Sequence, residues 1–335
     1  MPRRGCGVAS GSSSSIPWSP PPPPSRTAWS PPTARAWRRC GSLPTPPWVP
    51  RPAAAASLAY VNTDAATNST GANPAPGARQ ANPAPGPHPD ALQADLPINR
   101  HTFFQASLMT ALLDGIYDGE LTIGELLGKG NFGIGTFNGL DGEMVILDGV
   151  CWQLRGDGTA TRATMTQKTP FAVATNFVPH IVRRAPENTV RADITPYIDS
   201  VVPSANYMYA LRICGEFEWV KTRTVVKQSK PYPKMVDATE ADESIDFENV
   251  RGVIAGFRTP VYEKGISVPG CHVHFIDDDR TSGGHVLDFK LKSGTIEICP
   301  GTDLELRLPL TPEFSHAHLA PEDLDAQIHA TEVKD

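Results

Sequence analysis

The stretch HVHFIDDDRTSGGH holds the residues best spaced for chemistry. His272 and His274 stand two apart in a run that reads as a strand. Side chains at that spacing leave the same face, roughly 6–7 Å apart at strand rise. A polar turn then reverses the chain, and His285 opens the returning strand, where it can share that face. Three neutral imidazoles from one hairpin can hold one side of an ion and leave positions open. That is the pattern of a catalytic zinc site, whereas closed structural sites usually supply four ligands. Imidazole also suits iron, copper, nickel and manganese, so the pattern alone leaves the ion open. A lone HxH in a strand is more often plain polarity; the third histidine across a tight turn is what favours a metal. Cys271 adjoins His272 and is expected on the opposite face, so it is not counted as a ligand.

Other reactive side chains are bland on pattern alone. Glu143 follows the turn NGLDG and reads as an exposed turn carboxylate. Arg223, in KTRTV with Lys221 two residues before it, reads as part of a solvated sheet face. Glu332 lies close to Asp335, in a stretch expected to fray. The run Asp277–Asp279 lacks the spacing to wrap a hard cation and reads as a solvated loop. The glycines of GKGNFGIG are not followed by GK[ST], which excludes a phosphate loop.

The elements that must position these groups are mostly strands. An apolar stripe at Phe104, Leu108, Leu112 and Ile116 predicts a first helix. TIGELLGKG predicts a second, capped by Thr122 and stopped at Gly128. Asp141-Gly142, Asp148-Gly149 and Gly156-Asp157-Gly158 mark hairpin turns around Glu143 to Leu147 and Val150 to Leu154. FAVATNFVPH predicts a strand, and DITPYIDSVVPS a helix broken by prolines. From Tyr207 strands dominate: MYALRICGEFEWVKTRTVV, VRGVIAGFRTPVY, CHVHFI, HVLDFKL, GTIEI and DLELRL, then a short helix or tail in PEDLDAQIHATE. This is an α+β pattern with short turns, not alternating βαβ.

Composition divides the chain. Residues 1–96 hold 20 of the 34 prolines, the run Pro20 to Pro24, a serine run and the repeated hexapeptide ANPAPG. Such a segment buries too little apolar surface to offset its ordering entropy and is expected to be disordered. Nine of the 30 basic and three of the 36 acidic residues precede residue 101, leaving 21 against 33, a formal −12 for the remainder. That balance argues against a nucleic-acid partner. No apolar run approaches the ~20 residues of a membrane helix. The six cysteines form no CxxC pair and read as reduced structural thiols, favouring a cytoplasmic protein over a secreted one. The expected division is a tail over 1–96 and a domain over 97–335, its first half (about 97–200) α/β and its second (201–335) strand-rich and metal-binding.

Several long stretches resemble the α-acetolactate decarboxylase family: LLDGIYDGELTIGELL, GNFGIGTFNGLDGEM, TPFAVATNFVP, KTRTVVKQSKPYP, GFRTPVY, SVPGCHVHFIDDDRTSGGHVLDF and QIHATE. The resemblance runs from about Phe103 to Glu332. It implies a homodimer of two-domain protomers, a mixed β-sheet with a small barrel-like metal-binding domain. It also implies decarboxylation of 2-acetolactate to acetoin and CO₂, with Zn²⁺ on His272, His274 and His285 and no organic cofactor. The family's active-site glutamate falls on Glu143, its arginine on Arg223, its C-terminal glutamate on Glu332, and its substrate-side threonine on Thr136. Two departures from the family, Cys151-Trp152 and Cys271, are not expected to disturb the metal site. A cupin-like metal oxygenase also places HxH and a later histidine on strands, but it wants a glutamate where this chain has Asp277 to Asp279. A binding module with a structural metal is the non-enzyme alternative.

Overall fold

The computed structural model describes residues 100–240, 242 and 244–333; the tail expected over 1–96 lies outside the described residues. The strands of the first part are β1 (Thr102–Ala106), β2 (Leu121–Thr122), β3 (Phe132–Thr136), β4 (Glu143–Leu147), β5 (Val150–Leu154), β6 (Ala160–Arg162), β7 (Lys168–Thr169) and β8 (Ala172–Thr175). Those that follow are β9 (Ile181–Arg184), β10 (Thr189–Val190), β11 (Met208–Arg223), β12 (Ser244–Thr259), β13 (Gly270–Asp277), β14 (Gly283–Gly301) and β15 (Asp303–Arg307). A seven-stranded sheet runs β15-β1-β8-β3-β4-β5-β6. Its β1–β15 pair is parallel and its other pairs antiparallel, so the sheet is mixed. The second sheet runs β10-β14-β11-β12-β13, with β9 on β14. A further pairing of β13 with β14 sets His274 opposite His285. β2 and β7 form a separate two-stranded ribbon.

Helices are short: α1 (Met109–Leu113), α2 (Ile123–Leu127), α3 (Arg191–Val201), α4 (Met235–Ala238), α5 (Pro312–His316) and α6 (Leu324–Ile328). Thr122 and Glu125 form a reciprocal capping box at the start of α2, and Gly128 is its C-cap, as their types predict. The first expected helix is largely overturned. Thr102–Ala106 is a strand, and only Met109–Leu113 is helical. Phe103 to Ala106 are buried on both faces of an interior strand, so apolar residues at helical spacing also satisfied a sheet. Helix α3 runs unbroken through Pro196. HVLDFKL and GTIEI, expected as two strands, belong to the single 19-residue β14. The β11–β14 register shifts at Glu216/Phe217, Phe217/Trp219 and Lys221/Thr222, and β14 also pairs with β9, β10 and β13.

Each sheet buries both faces. Met144, Ile146, Phe104 and Ala174 pack with Ile123 and Leu126 of α2 on one face of the first sheet. Val145, Leu147, Phe132 and Ile134 turn the other way, into a core shared with Ala210, Ala255, Phe257 and Ile276 of the second sheet. The second sheet's remaining apolar side chains pack with Ile194 and Ile198 of α3. Among the described residues, no helix is long and apolar enough to cross a membrane.

Candidate active site

Strand alternation on β13 separates two environments. Val273 and Phe275 enter the core beneath α3, while His272 and His274 take the opposite face. The hairpin returns through Gly283 and Gly284 to His285. A Cβ on Gly284 would lie 2.9 Å from the carbonyl oxygen of Arg223, so the close approach of β11 there needs glycine. The three imidazole rings stand with centroids 5.3, 5.1 and 5.4 Å apart. One nitrogen from each comes within 4.8 Å of the others.

Two of the rings are oriented by backbone. His274 donates from Nδ1 to the Met144 carbonyl of β4, 2.7 Å away. Its Nε2 is buried and has no hydrogen-bond partner among the described residues. His285 donates from Nε2 to the Glu332 carbonyl at 3.2 Å, which leaves the Nδ1 lone pair free. Burial depresses all three pKa values, with the Arg223 guanidinium adding to the effect: His272 and His274 fall to about 3, and His285 well below the usual value. The rings are therefore neutral at pH 7, the state in which imidazole binds metal.

Glu143 and Thr136 face each other across the β3–β4 register, which sends both side chains to one face. Gly142, at φ +91°, makes the turn that delivers Glu143, and any side chain there would strike the Leu154 carbonyl. Glu143 is buried, contrary to the exposed reading of its turn, with Oε2 3.7 Å from His274 Nε2. Burial raises its carboxyl to about 8, with Glu332 and Asp242 pushing the same way against Arg223 and a Val225 N–H. Neutral imidazole and largely protonated carboxyl make this contact something other than an ion pair.

Glu332 is not frayed. It lies in a wide helical turn over His329–Val333, and its Oε2 sits 3.4 Å from His272 Nε2 and 3.9 Å from His285 Nδ1. Burial raises its pKa while Arg223 and Arg191 oppose the shift. Arg223 is likewise buried, not solvated, although Lys221 is exposed. It is the register partner of His285, and Nη1 lies 3.2 Å from Asp242 Oδ2. Thr136 donates its hydroxyl to the Gly142 carbonyl at 2.8 Å.

A pocket opens on this group. Thr136, Glu143, His272, His285 and Glu332 form its polar wall, and Met109, Leu112, Leu140, Phe171, Val225 and Met235 its apolar one. Arg223 and His274 are not on the wall itself. The aspartate run takes no part. Asp277 binds the Thr281 hydroxyl and backbone, and Asp278 lies 3.5 Å from Arg251. Cys271 accepts from the Thr195 hydroxyl and packs with the core beneath α3, away from the cluster. Two contributors escaped sequence reasoning. The Met144 carbonyl is backbone and leaves no residue signal. Asp242 lies 19 positions from its partner in a stretch of ordinary acidic residues.

Residues 103–321 match the family model described as Alpha-acetolactate decarboxylase. The chain is 45% identical over 240 residues to the alpha-acetolactate decarboxylase of Bacillus subtilis (strain 168), covering 72% of this chain and 93% of that protein. It is 44% identical to the Klebsiella aerogenes enzyme of that name, covering 73% and 90%. The crystal structure of alpha-acetolactate decarboxylase from Bacillus subtilis strain 168 matches with a TM-score of 0.68, covering 70% of this chain and 100% of that one. A Staphylococcus aureus protein of unknown function, similar to alpha-acetolactate decarboxylase, matches at 31% identity with a TM-score of 0.66, covering 69% and 100%. The chain is an enzyme of the alpha-acetolactate decarboxylase family.

Proposed function

We propose that the protein converts 2-acetolactate to acetoin and CO₂, using a zinc ion held by His272, His274 and His285, in acetoin and butanediol formation. The observation that carries this reading is the convergence of three neutral imidazoles, two of them buried, beside a raised carboxyl on the wall of a pocket. The donor set fits a divalent ion: His274 Nε2 is buried without a partner, and the hydrogen bonds of His274 and His285 leave one lone pair on each. When bound, such an ion supplies Lewis acidity for charge developing on the substrate's oxygens.

Decarboxylation breaks the bond between the carboxylate carbon and the hydroxyl-bearing carbon. The electron pair moves into the neighbouring keto group, giving an enediolate. A proton delivered to the carbon that lost CO₂ completes acetoin. Glu143 is suited to hold that proton, because burial raises its carboxyl and it stands on the pocket wall beside His274. Glu332 borders two of the histidines and closes the site from the C-terminal turn. Arg223 orients the departing carboxylate, and Thr136 bounds the substrate beside Glu143. The apolar wall accepts the two methyl groups and excludes water.

The wider reading is of a cytoplasmic homodimer with two domains, residues 97–200 and 201–335. The β13–β14 pairing supports a barrel-like second domain. The test is acetoin formed from racemic 2-acetolactate, with oxygen uptake followed in parallel. Formation should be abolished by a chelator, restored by zinc and accompanied by no oxygen consumption. Oxygen-coupled turnover would favour the cupin-like alternative instead, and light scattering tests the dimer.

A further inference from the structure

The segment 224–243 leaves the second sheet after Arg223 and rejoins it at Ser244, and those two residues face each other in the β11–β12 register. This excursion supplies Val225 and Met235 to the pocket wall. At its neck, Arg223 Nη1 meets Asp242 Oδ2 at 3.2 Å, and both side chains are only 2% exposed. The arginine's Nε is buried and has no hydrogen-bond partner among the described residues.

A buried ion pair with a purely structural task is expected to satisfy its remaining donors, because an unmet buried N–H is costly. An unmet guanidinium donor on the residue paired across the strands with His285, which lines the pocket, points instead to a ligand that supplies the acceptor. The guanidinium is planar and rigid, so a grip on Nη1 also restricts the direction of Nε–H. Register brings Asp242 to that grip, since it lies two residues before the partner of Arg223 on β12.

We propose that Asp242 is a positioning residue that holds Arg223 by Nη1, so that Nε is presented to the carboxylate of the substrate. This rests on the decarboxylase reading above. Asp242 touches no reacting atom, and its effect is exerted through Arg223.

The test compares wild type, Asp242→Asn and Asp242→Ala as full chains at matched metal content. Steady-state constants for 2-acetolactate are measured with inhibition by two probes. One is 2-hydroxy-2-methylpropanoate, which carries the carboxylate and hydroxyl but no keto group. The other is acetoin, which has no carboxylate. Asp242→Ala should lower kcat/KM about 100-fold, the scale of an ångström-sized misplacement. It should weaken the carboxylate probe at least tenfold and leave acetoin inhibition within twofold. Asp242→Asn keeps the shape and one acceptor and should fall between.

A general loosening of the fold would weaken both probes alike, and that result overturns the proposal. So does an unchanged carboxylate constant. Tighter carboxylate binding in Asp242→Asn also overturns it, since Asp242 would then act only as a charge offsetting Arg223. Should Asp242→Ala fail to fold, Asp242→Asn is read in an Arg223→Met background. There it should change neither constant further, and an added loss is contrary to the proposal. A wild type that forms no acetoin sinks the decarboxylase reading itself. An active wild type with indifferent Asp242 variants sinks only the positioning role.

Discussion

Deleting residues from Thr331 onward separates the contribution of the C-terminal turn to folding from its contribution to turnover. The turn is buried, yet few groups depend on it. Thr331 donates its hydroxyl to the Gln327 carbonyl, so that bond lies within the C-terminal segment itself. The loss to the rest of the protein is the Glu332 carbonyl that accepts from His285 Nε2, together with the carboxylate 3.4 Å from His272. A buried donor left unmet costs about 1–3 kcal/mol, and the lower end applies here because deletion admits water. A loss of about 1–2 kcal/mol corresponds to a fall in Tm of roughly 2–8 °C for a domain of this size. Catalysis should suffer far more. Removing a group that orients a metal ligand typically costs about 10–100-fold in metal affinity or activity, and the opened site also loses its exclusion of water. The assay is the acetoin-forming rate at matched zinc occupancy, with Tm from the same preparations. A truncated protein that turns over within threefold of wild type refutes the role of Glu332. A collapse of Tm by tens of degrees refutes the claim that the turn is peripheral to folding.

Glu143→Gln should keep its metal, since three imidazoles suffice to hold it, but lose about 10²–10⁴-fold in turnover with the loss of proton transfer; acetoin rate and elemental analysis on one sample check this. The pair His272→Ala and His274→Ala should leave the purified protein with little zinc, and full metal content in that variant would contradict the ligand assignment. Metal-free protein should lose stability on acidification. His272 and His274 titrate at about 3 when folded against 6.5 when unfolded, so between these values the unfolded chain binds more protons. Each contributes up to about 1.4 kcal/mol per pH unit, with His285 acting in the same direction. Glu143 has the opposite sign: its stability contribution is lost as pH rises from 4.5 to about 8. Denaturant midpoints of the chelated protein should therefore be highest near pH 6–7 and fall most steeply below pH 4.5, and a flat acid limb would count against neutral buried imidazoles.

The histidine hairpin was legible because both of its rules are local. Alternation places His272 with His274, and a short turn returns His285 to the same face. The capping box of α2 is equally local. What was not legible depends on which surfaces meet. Glu143, Arg223 and Glu332 have the flanking residues of exposed groups, and their burial follows only from two sheets packing together beneath a C-terminal turn. The resemblance singled them out where their neighbours did not. Strand β1 was misread because a strand buried on both faces has apolar residues at every spacing, including the helical one. The register shifts between β11 and β14 depend on how the two strands pair, which the residues of β14 alone do not disclose.

The second sheet supplies the three rings but not their orientation. His274 takes its tautomer from the Met144 carbonyl of the first sheet, and His285 takes its own from the Glu332 carbonyl of the C-terminal turn. Before those pieces pack, each histidine can place its proton on either nitrogen, and water competes for both. A well-ordered three-nitrogen site therefore forms only with the assembled fold, which couples metal affinity to the packing of one sheet on the other. The coupling runs in both directions. An ion bound to the folded protein at 1,000 times its Kd adds about 4.1 kcal/mol to stability. A cavity cut at Val145, distant in sequence from all three histidines but part of the core between the sheets, should weaken metal binding along with the fold.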